Sequence, residues 1–180
     1  ILFSDIRGFT SMSENMSPEN VVSTLNEYFS DMIDIVFKYN GTLDKIIGDE
    51  LMIVYGAPIS AEDDTQRAVT TAVEMQKQII RLNKERKKRK DIPISAGIGI
   101  NRGIVVSGNI GSRDMMDYTV IGDTVNLGAR LCSAAGPGEI LVSSSVWKET
   151  QKHYSYKKLE PIKVKGKKNK VGVYRIDHDG

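Results

Sequence analysis

The stretch "LDKIIGDELMIVYG", residues 43–56, predicts the centre of the fold. Residues 42–47 and 51–55 are rich in β-formers, and only "GDE" separates them, which is typical of a hairpin. Charged side chains interrupt this apolar stretch, among them Lys45, Asp49 and Glu50. Charged groups are seldom fully buried unless they are paired or hold a metal. The stretch is therefore either an ordinary hairpin with a polar tip or the lining of a site.

Helices and strands follow on both sides of this hairpin. Residues 1–6 predict a strand, and the next helix begins at Ser17, a good N-cap, with Pro18 at its first position and Gly41 placed to end it. A second helix is predicted from Asp63 or Asp64 to Arg89 because its apolar residues keep helical spacing.

The second half of the chain is predicted from the same patterns. Residues 92–100 and 104–107 form a hairpin around "NRG". They are followed by a strand at 118–121, a helix at 123–134, the strand "EILVS", a short helix near Trp147 and a β-rich end. The order predicts an α+β fold with a ferredoxin-like βαββαβ core, in which helices cover one face of a mainly antiparallel sheet. We expect one domain over residues 1–180, cut from a longer protein because Ile1 lies inside an apolar strand.

Composition excludes several classes of function. The chain has 180 residues, of which 40% are apolar and 27% charged, and no apolar run approaches a membrane span. Its one cysteine, Cys132, excludes an internal disulfide and fits a reducing compartment, so we expect the cytoplasmic side. The two histidines, His153 and His178, lie far from every motif, which argues against a histidine-dependent nucleophile.

Charge is unevenly distributed. Two basic segments, residues 84–90 and 157–170, are attached to an otherwise acidic body, although the net charge is only +2. The segment "KERKKRK" raises nucleic-acid binding as one possibility. However, basic residues are favoured at a helix C-terminus by its dipole, and the segment has no interleaved aromatic residue, so no nucleic-acid partner is expected.

Asp5 ends the first strand and Asp49 lies at the hairpin tip. If the first two strands are neighbours, these carboxylates meet, and a divalent cation such as Mg²⁺ or Mn²⁺ would remove their repulsion. Two solvated surface acids are the alternative. After Asp5, the loop "IRGFTS" has a glycine and could cradle phosphate oxygens with its amides, a weak signal by itself.

Asn126 and Arg130 are four residues apart on a predicted helix, so they share one face. An asparagine can bind a sugar hydroxyl, and a guanidinium can stabilise charge on a phosphoryl group. A simple surface pair is the alternative interpretation.

Together these segments resemble the class III nucleotidyl cyclase catalytic domain, most closely the bacterial adenylyl cyclases. "FSDIRGFTS", "DKIIGDELM" and "DYTVIGDTVNLGARL" occur in the family's order, and "KVKGK" adds a weaker match. The resemblance covers nearly the whole chain. It implies conversion of ATP to cyclic AMP and pyrophosphate.

The resemblance also implies roles for individual residues. Asp5, Ile6 and Asp49 would hold two divalent metal ions, Mg²⁺ or Mn²⁺, while Asn126 orients the ribose and Arg130 stabilises the transition state. The triphosphate would be bound by the loop and by a lysine near the end of the chain: Ile6, Arg7, Gly8, Phe9, Thr10 and Lys165.

Base selection would lie with Lys45 and Thr119. Adenylyl cyclases resemble this chain in having lysine at position 45, which can donate to adenine N1. Threonine at 119 departs from the common aspartate, and its hydroxyl can either accept or donate, which leaves selectivity looser. Gly97 is a second departure, since some members have a phosphate-binding arginine there, so Lys165 would serve alone. Glu50 has no assigned role and is expected to be a solvated turn residue.

The family works as a dimer in which one chain supplies the metal aspartates and the other supplies the base, ribose and transition-state residues. This chain carries both sets, so the resemblance implies a head-to-tail homodimer. A guanylyl or unselective cyclase, or a degenerate domain that binds nucleotide as a regulator, remain alternatives. An N-terminal sensory or membrane module in the full-length protein is one possibility that the sequence leaves open.

Overall fold

The computed structural model describes residues 1–163 and 170–178. The strands are β1 (Leu2–Ile6), β2 (Thr42–Ile47), β3 (Glu50–Val54), β4 (Ala96–Ile100), β5 (Val106–Gly111), β6 (Met116–Ile121), β7 (Ile140–Ser143), β8 (Ser155–Lys158) and β9 (Val173–Asp177). The helices are α1 (Phe9–Ser13), α2 (Pro18–Lys38), α3 (Asp64–Arg89), α4 (Asp123–Ala134) and α5 (Ser144–Thr150). Within these residues, seven strands form one sheet in the order β2-β3-β1-β4-β7-β9-β8, and β5 pairs with β6 as a separate ribbon.

The sheet confirms the predicted fold class. Its first four strands, β2-β3-β1-β4, are the ferredoxin-like core, and every pairing among them is antiparallel. Strand β7 then adds to β4 in parallel, after the crossover through α4. The result is a mainly antiparallel α+β sheet whose central strands are β1 and β4.

Local sequence signals place the two long helices as predicted. The Ser17 side chain accepts a hydrogen bond from the Asn20 amide at 3.3 Å, and Pro18 occupies the first turn of α2. Helix α2 buries Tyr28, Met32 and Val36 against the sheet. No helix in residues 1–163 or 170–178 is long and apolar enough to span a bilayer.

One prediction about the sheet is wrong. The strand after "NRG" does not fold back on β4, because β4 is buried on both faces and its two edges are taken by β1 and β7. Strand β5, which begins at Val106, pairs with β6 instead. The two helices of the βαββαβ core share one face as predicted: α2 and α3 cover the side of Leu2 and Leu51, whereas α4, which follows the core, packs on the side of Phe3.

Helix α4 lies directly on the backbone of β4. A Cβ atom on Gly99 would stand 2.0 Å from the backbone nitrogen of Cys132 in α4, and one on Gly128 would stand 3.2 Å from the Phe3 ring. Real non-bonded atoms do not approach to 2.0 Å, so only glycine at position 99 permits this contact. Two glycines therefore set the height of α4 above the sheet.

We predict that Gly99→Ala lowers the free energy of unfolding by at least about 2 kcal/mol, because the new methyl group meets helix backbone rather than a movable side chain. Denaturant unfolding followed by circular dichroism measures this. The matched control is Gly108→Ala, where the added methyl group meets nothing within 4 Å, so its stability stays within about 0.5 kcal/mol of wild type. Equal stability of the two variants would contradict the packing argument.

Candidate active site

The two aspartates singled out by the sequence do meet, although by a different route from the one expected. Strand β1 lies between β3 and β4 rather than beside β2, because the hairpin turns β3 inward and leaves β2 at the sheet edge. Asp49 is the residue before β3, and β3 begins at Glu50, directly opposite Asp5. The turn thereby brings the Asp49 carboxyl group against that of Asp5, with which it interacts by charge and by hydrogen bonding.

This crowding perturbs Asp5. Burial first, and the charge of Asp49 second, raise the pKa of Asp5 from 3.8 to about 6, while the neighbouring Arg7 guanidinium acts in the opposite direction. Arg7 lies 3.3 Å from the Asp5 carboxylate, and the Asp5 side chain is only 28% exposed. The two carboxylates repel each other and are partly shielded from water, so a bound cation would stabilise them.

Glu50 belongs to the same acidic cluster, which corrects its expected place in a solvated turn. Its carboxyl group faces the Asp5 side because the two residues are paired across β1 and β3. Burial, followed by the charge of Asp5, raises the pKa of Glu50. Sequence reasoning missed it because the pairing register, which places Glu50 opposite Asp5, is not visible in the hairpin itself.

The Arg7 side chain fills the space that Gly97 leaves open. A Cβ on Gly97 would lie 2.5 Å from Arg7 Nε, and Arg7 Nη2 donates to the Cys132 carbonyl oxygen at 3.0 Å. Arg7 Nε itself is buried without a hydrogen-bond partner among the described residues. Position 97 holds glycine where an arginine would bind phosphate in the resemblance described above. The guanidinium of Arg7, from the loop after β1, occupies the space beside Gly97 instead. Lys165, expected to serve alone, lies outside the described residues.

The loop that follows Asp5 is held by its neighbours. The Ile6 side chain is buried, the Arg7 amide donates to Ser95 at 2.8 Å, and Gly8 adopts a left-handed conformation (φ 71°) that opens helix α1. Phe9 anchors α1 in the core, while Thr10 is exposed. Because the first amides of a helix have no intrahelical acceptor, those of Phe9 and Thr10 remain available to an anion.

Lys45 and Thr119 come together through a residue that the sequence did not single out. Thr119 Oγ1 donates to Asp44 Oδ2 at 2.7 Å, and Lys45 Nζ lies 3.5 Å from the same oxygen. The Asp44 side chain is 6% exposed, whereas that of Lys45 is 36% exposed. Lys45 and Thr119, the predicted base-reading pair, therefore both contact the buried carboxylate of Asp44.

Asn126 and Arg130 lie one turn apart on α4, where Asn126 is exposed and Arg130 is half-buried. Within the described ranges, neither side chain forms a hydrogen bond or an ion pair. The described residues also show no hydrogen bond or ion pair between these two side chains and either the Asp5–Asp49 pair or the Lys45–Thr119 pair. One chain thus presents separate groups of candidate residues.

Comparison with known proteins identifies the fold. The family model for the adenylate and guanylate cyclase catalytic domain matches residues 1–178. The chain is 36% identical to an adenylate cyclase of Anabaena cylindrica over 185 aligned residues, which cover 98% of the chain and 36% of that protein. This chain belongs to the adenylate and guanylate cyclase catalytic domain family.

Solved structures of this cyclase family superpose closely on this chain. The adenylyl cyclase CyaB from P. aeruginosa superposes with a TM-score of 0.94 at 37% identity, covering 98% of this chain and 91% of that one. The guanylyl cyclase Cya2 superposes with a TM-score of 0.92 at 39% identity, covering 97% and 89%. The chain spans about a third of the length of the curated relatives it matches.

Cyclases of this family generally depend on divalent metal ions. Residues 1–163 and 170–178 contain no group of three or more histidine, cysteine or acidic side chains arranged to hold one. The Asp5 and Asp49 carboxylates nevertheless fit hard cations, which commonly take one or two carboxylates and complete their shell with water and substrate phosphates. The raised pKa of Asp5 is the observation that favours this fit.

We predict that divalent cations stabilise this cyclase domain increasingly as the pH rises through 6. The folded-state pKa of Asp5 lies above its ordinary value, so the folded protein loses stability as the pH rises from about 4 through 6 and Asp5 becomes charged. A bound cation removes that repulsion, so the increase in Tm produced by Mn²⁺ is larger at pH 7.5 than at pH 5.

Differential scanning fluorimetry with and without Mn²⁺ measures this, with Asp5→Asn as the test variant and Asp34→Asn, an exposed acid on α2, as the matched control. The first variant loses most of the Mn²⁺ effect and the second keeps it. A Mn²⁺ effect that is independent of pH, or equal in the two variants, would remove Asp5 from the cation site.

Proposed function

We propose that this chain is an adenylyl cyclase domain that converts ATP to 3′,5′-cyclic AMP and pyrophosphate. Family membership alone does not select the base, since an adenylyl and a guanylyl cyclase structure match the chain equally well. The observation that carries the proposal is the unit formed by Lys45, Thr119 and Asp44, which presents a lysine donor beside a threonine hydroxyl. A lysine ammonium can donate to adenine N1 but meets the N1–H donor of guanine.

In the proposed reaction the ribose 3′-oxygen forms a bond to the α-phosphorus, the bond from that phosphorus to the bridging oxygen breaks, and pyrophosphate leaves. The proton of the 3′-hydroxyl passes to solvent. Divalent ions at Asp5 and Asp49, with the Ile6 carbonyl as a further ligand, would lower the pKa of that hydroxyl and neutralise phosphate charge.

The protein's own groups bind and orient the substrate. The amides that open α1 and the Lys165 side chain bind the triphosphate, Asn126 holds the ribose, and Arg130 stabilises charge that develops on the transferring phosphoryl group. Asn126 and Arg130 have no hydrogen bond or ion pair with another described residue, which supports these roles because both side chains can then meet a ligand. Arg7 stabilises the acidic cluster through its ion-pair contact with Asp5.

We infer that the working form is a head-to-tail homodimer whose two sites are each completed by both chains. No hydrogen bond or ion pair among the described residues joins the Asp5–Asp49 pair to the Lys45–Thr119 pair, which supports sites assembled between chains. The ribbon of β5 and β6 also carries exposed apolar side chains suited to an interface. They are Val106 (66% exposed), Ile110 (39%), Met116 (57%), Tyr118 (55%) and Ile121 (51%).

The contacts of the basic segment at the end of α3 support our proposal that the domain has no nucleic-acid partner. Arg86 is buried and binds Glu27, and Arg89 binds the same glutamate and Asp91. These arginines therefore have intramolecular partners and serve packing. We also propose that the domain lies on the cytoplasmic side, because its proposed substrate is ATP.

The proposal predicts that the purified domain forms cyclic AMP from ATP with Mg²⁺ or Mn²⁺, at a kcat/KM well above that for cyclic GMP formation from GTP. Asp49→Ala lowers turnover at least about 100-fold, since it removes one of the two carboxylates that hold the cations. Chromatographic quantitation of both cyclic nucleotides checks this, with Asp34→Ala retaining wild-type rates. Turnover of GTP equal to that of ATP would make the enzyme a guanylyl or unselective cyclase.

The shared-site proposal predicts complementation between two inactive chains. Asp5→Ala and Arg130→Ala are each inactive alone, but a mixture regains about a quarter of wild-type activity, because half of randomly formed dimers contain one intact site out of two. Activity and light scattering are measured on the same samples, with each variant alone at twice the concentration as control. A mixed sample that dimerises and remains inactive would contradict sites built from two chains.

A further inference from the structure

Strand β2 contains a β-bulge at Asp44. Leu43 pairs with Ile53 and Lys45 pairs with Met52, so Asp44 is an extra residue without its own partner on β3. In a regular strand, successive side chains point to opposite faces, and Asp44 would point away from Lys45. The bulge redirects the Asp44 side chain, and its Oδ2 atom lies 3.5 Å from Lys45 Nζ.

The contacts of Asp44 are unequal. Its hydrogen bond from Thr119 is 2.7 Å long and joins two side chains with little exposure, since Asp44 is 6% and the Thr119 residue 8% exposed. Its contact with Lys45 is longer, at 3.5 Å, and involves a side chain that is 36% exposed. Exposed ion pairs contribute little, so the hydrogen bond to Thr119 is the dominant contact.

The direction of that hydrogen bond is fixed by chemistry. An ionised carboxylate can only accept, so the single hydroxyl proton of Thr119 is used on Asp44. Towards a ligand, the Thr119 oxygen then offers only its remaining lone pairs. The sequence leaves the Thr119 hydroxyl as either a donor or an acceptor, whereas in the structure it is an acceptor towards a ligand.

We propose that Asp44 is a specificity-determining positioning residue that makes Thr119 an acceptor and so selects adenine over guanine. The proposal rests on the proposed function, because it assigns a role within the same base-reading site. Adenine carries an amino donor at N6, which matches an acceptor. Guanine carries a carbonyl acceptor at O6, so two acceptors would face each other and one would lose its hydrogen bond.

Asp44→Ala tests this role. Without the carboxylate, the Thr119 hydroxyl can rotate and donate to guanine O6, so the ratio of kcat/KM for ATP to kcat/KM for GTP falls about tenfold. Thr119→Ser keeps the hydroxyl and the wild-type ratio, whereas Thr119→Val lowers the ratio. General loss of folded enzyme would lower both rates equally and leave the ratio unchanged.

The double variant shows whether Asp44 acts through Thr119. In the Thr119→Val background, Asp44→Ala changes the ratio less than about twofold, because the hydroxyl it controls is absent. The matched control for charge removal is Asp34→Ala, which leaves the ratio as in wild type. An unchanged ratio in Asp44→Ala, or an equal fall in both backgrounds, would overturn the proposal.

Binding measurements separate this inference from the proposed reaction. Equilibrium binding of 3′-deoxy-ATP and 3′-deoxy-GTP, which lack the attacking hydroxyl, reports base preference in variants that do not turn over. Asp44→Ala weakens the preference for the adenine analogue, and equal weakening for both analogues would overturn the role. If wild type prefers the adenine analogue but forms no cyclic nucleotide, the proposed reaction fails while the role of Asp44 is still tested.

Discussion

The contact between α4 and the backbone of β4 is the constraint on which the candidate site depends. Gly99 allows the Cys132 segment of α4 to lie against the strand, and the open space at Gly97 receives the Arg7 guanidinium. Helix α4 carries Asn126 and Arg130, and Arg7 supports Asp5. A methyl group at position 99 would push α4 away from β4 and move Asn126 and Arg130 relative to the acidic cluster. Close backbone packing therefore sets the geometry of the candidate site.

The acidic cluster shows that the fold tolerates unfavourable electrostatics at this point. Asp5, Asp49 and Glu50 converge on one side, while Arg7 is the cation in ion-pair contact with Asp5 among the described residues. Among the residues that the structure describes, Arg7 Nε is also buried without a hydrogen-bond partner, which costs free energy in most interiors. Such imbalance is typical of sites that bind a charged ligand, because the ligand supplies the missing compensation.

Much of this architecture was predictable because it rests on local signals. Ser17 and Pro18 begin α2, the apolar spacing of residues 64–89 gives α3, and the fold class follows from the element order. The hairpin expected around "NRG" is wrong because strand pairing depends on which edges of β4 are free, a property of the whole sheet. Asp44 was not predictable for a similar reason: a bulge appears only in the register between β2 and β3.

The hairpin of β2 and β3 links the two halves of the proposed dimeric site. Lys45 lies four positions before Asp49, yet in the proposed head-to-tail dimer the two residues would serve different active sites. The turn at Gly48 and Asp49 sets the pairing of Lys45 with Met52 on β3, and the pairing of Glu50 on β3 with Asp5 on β1 brings Asp49 to Asp5. Both residues belong to one short two-stranded element, so in the proposed dimer a displacement of this hairpin would move Lys45 in one site and Asp49 in the other. Coupling between the two sites of that dimer would then need no long pathway, because one hairpin would be part of each.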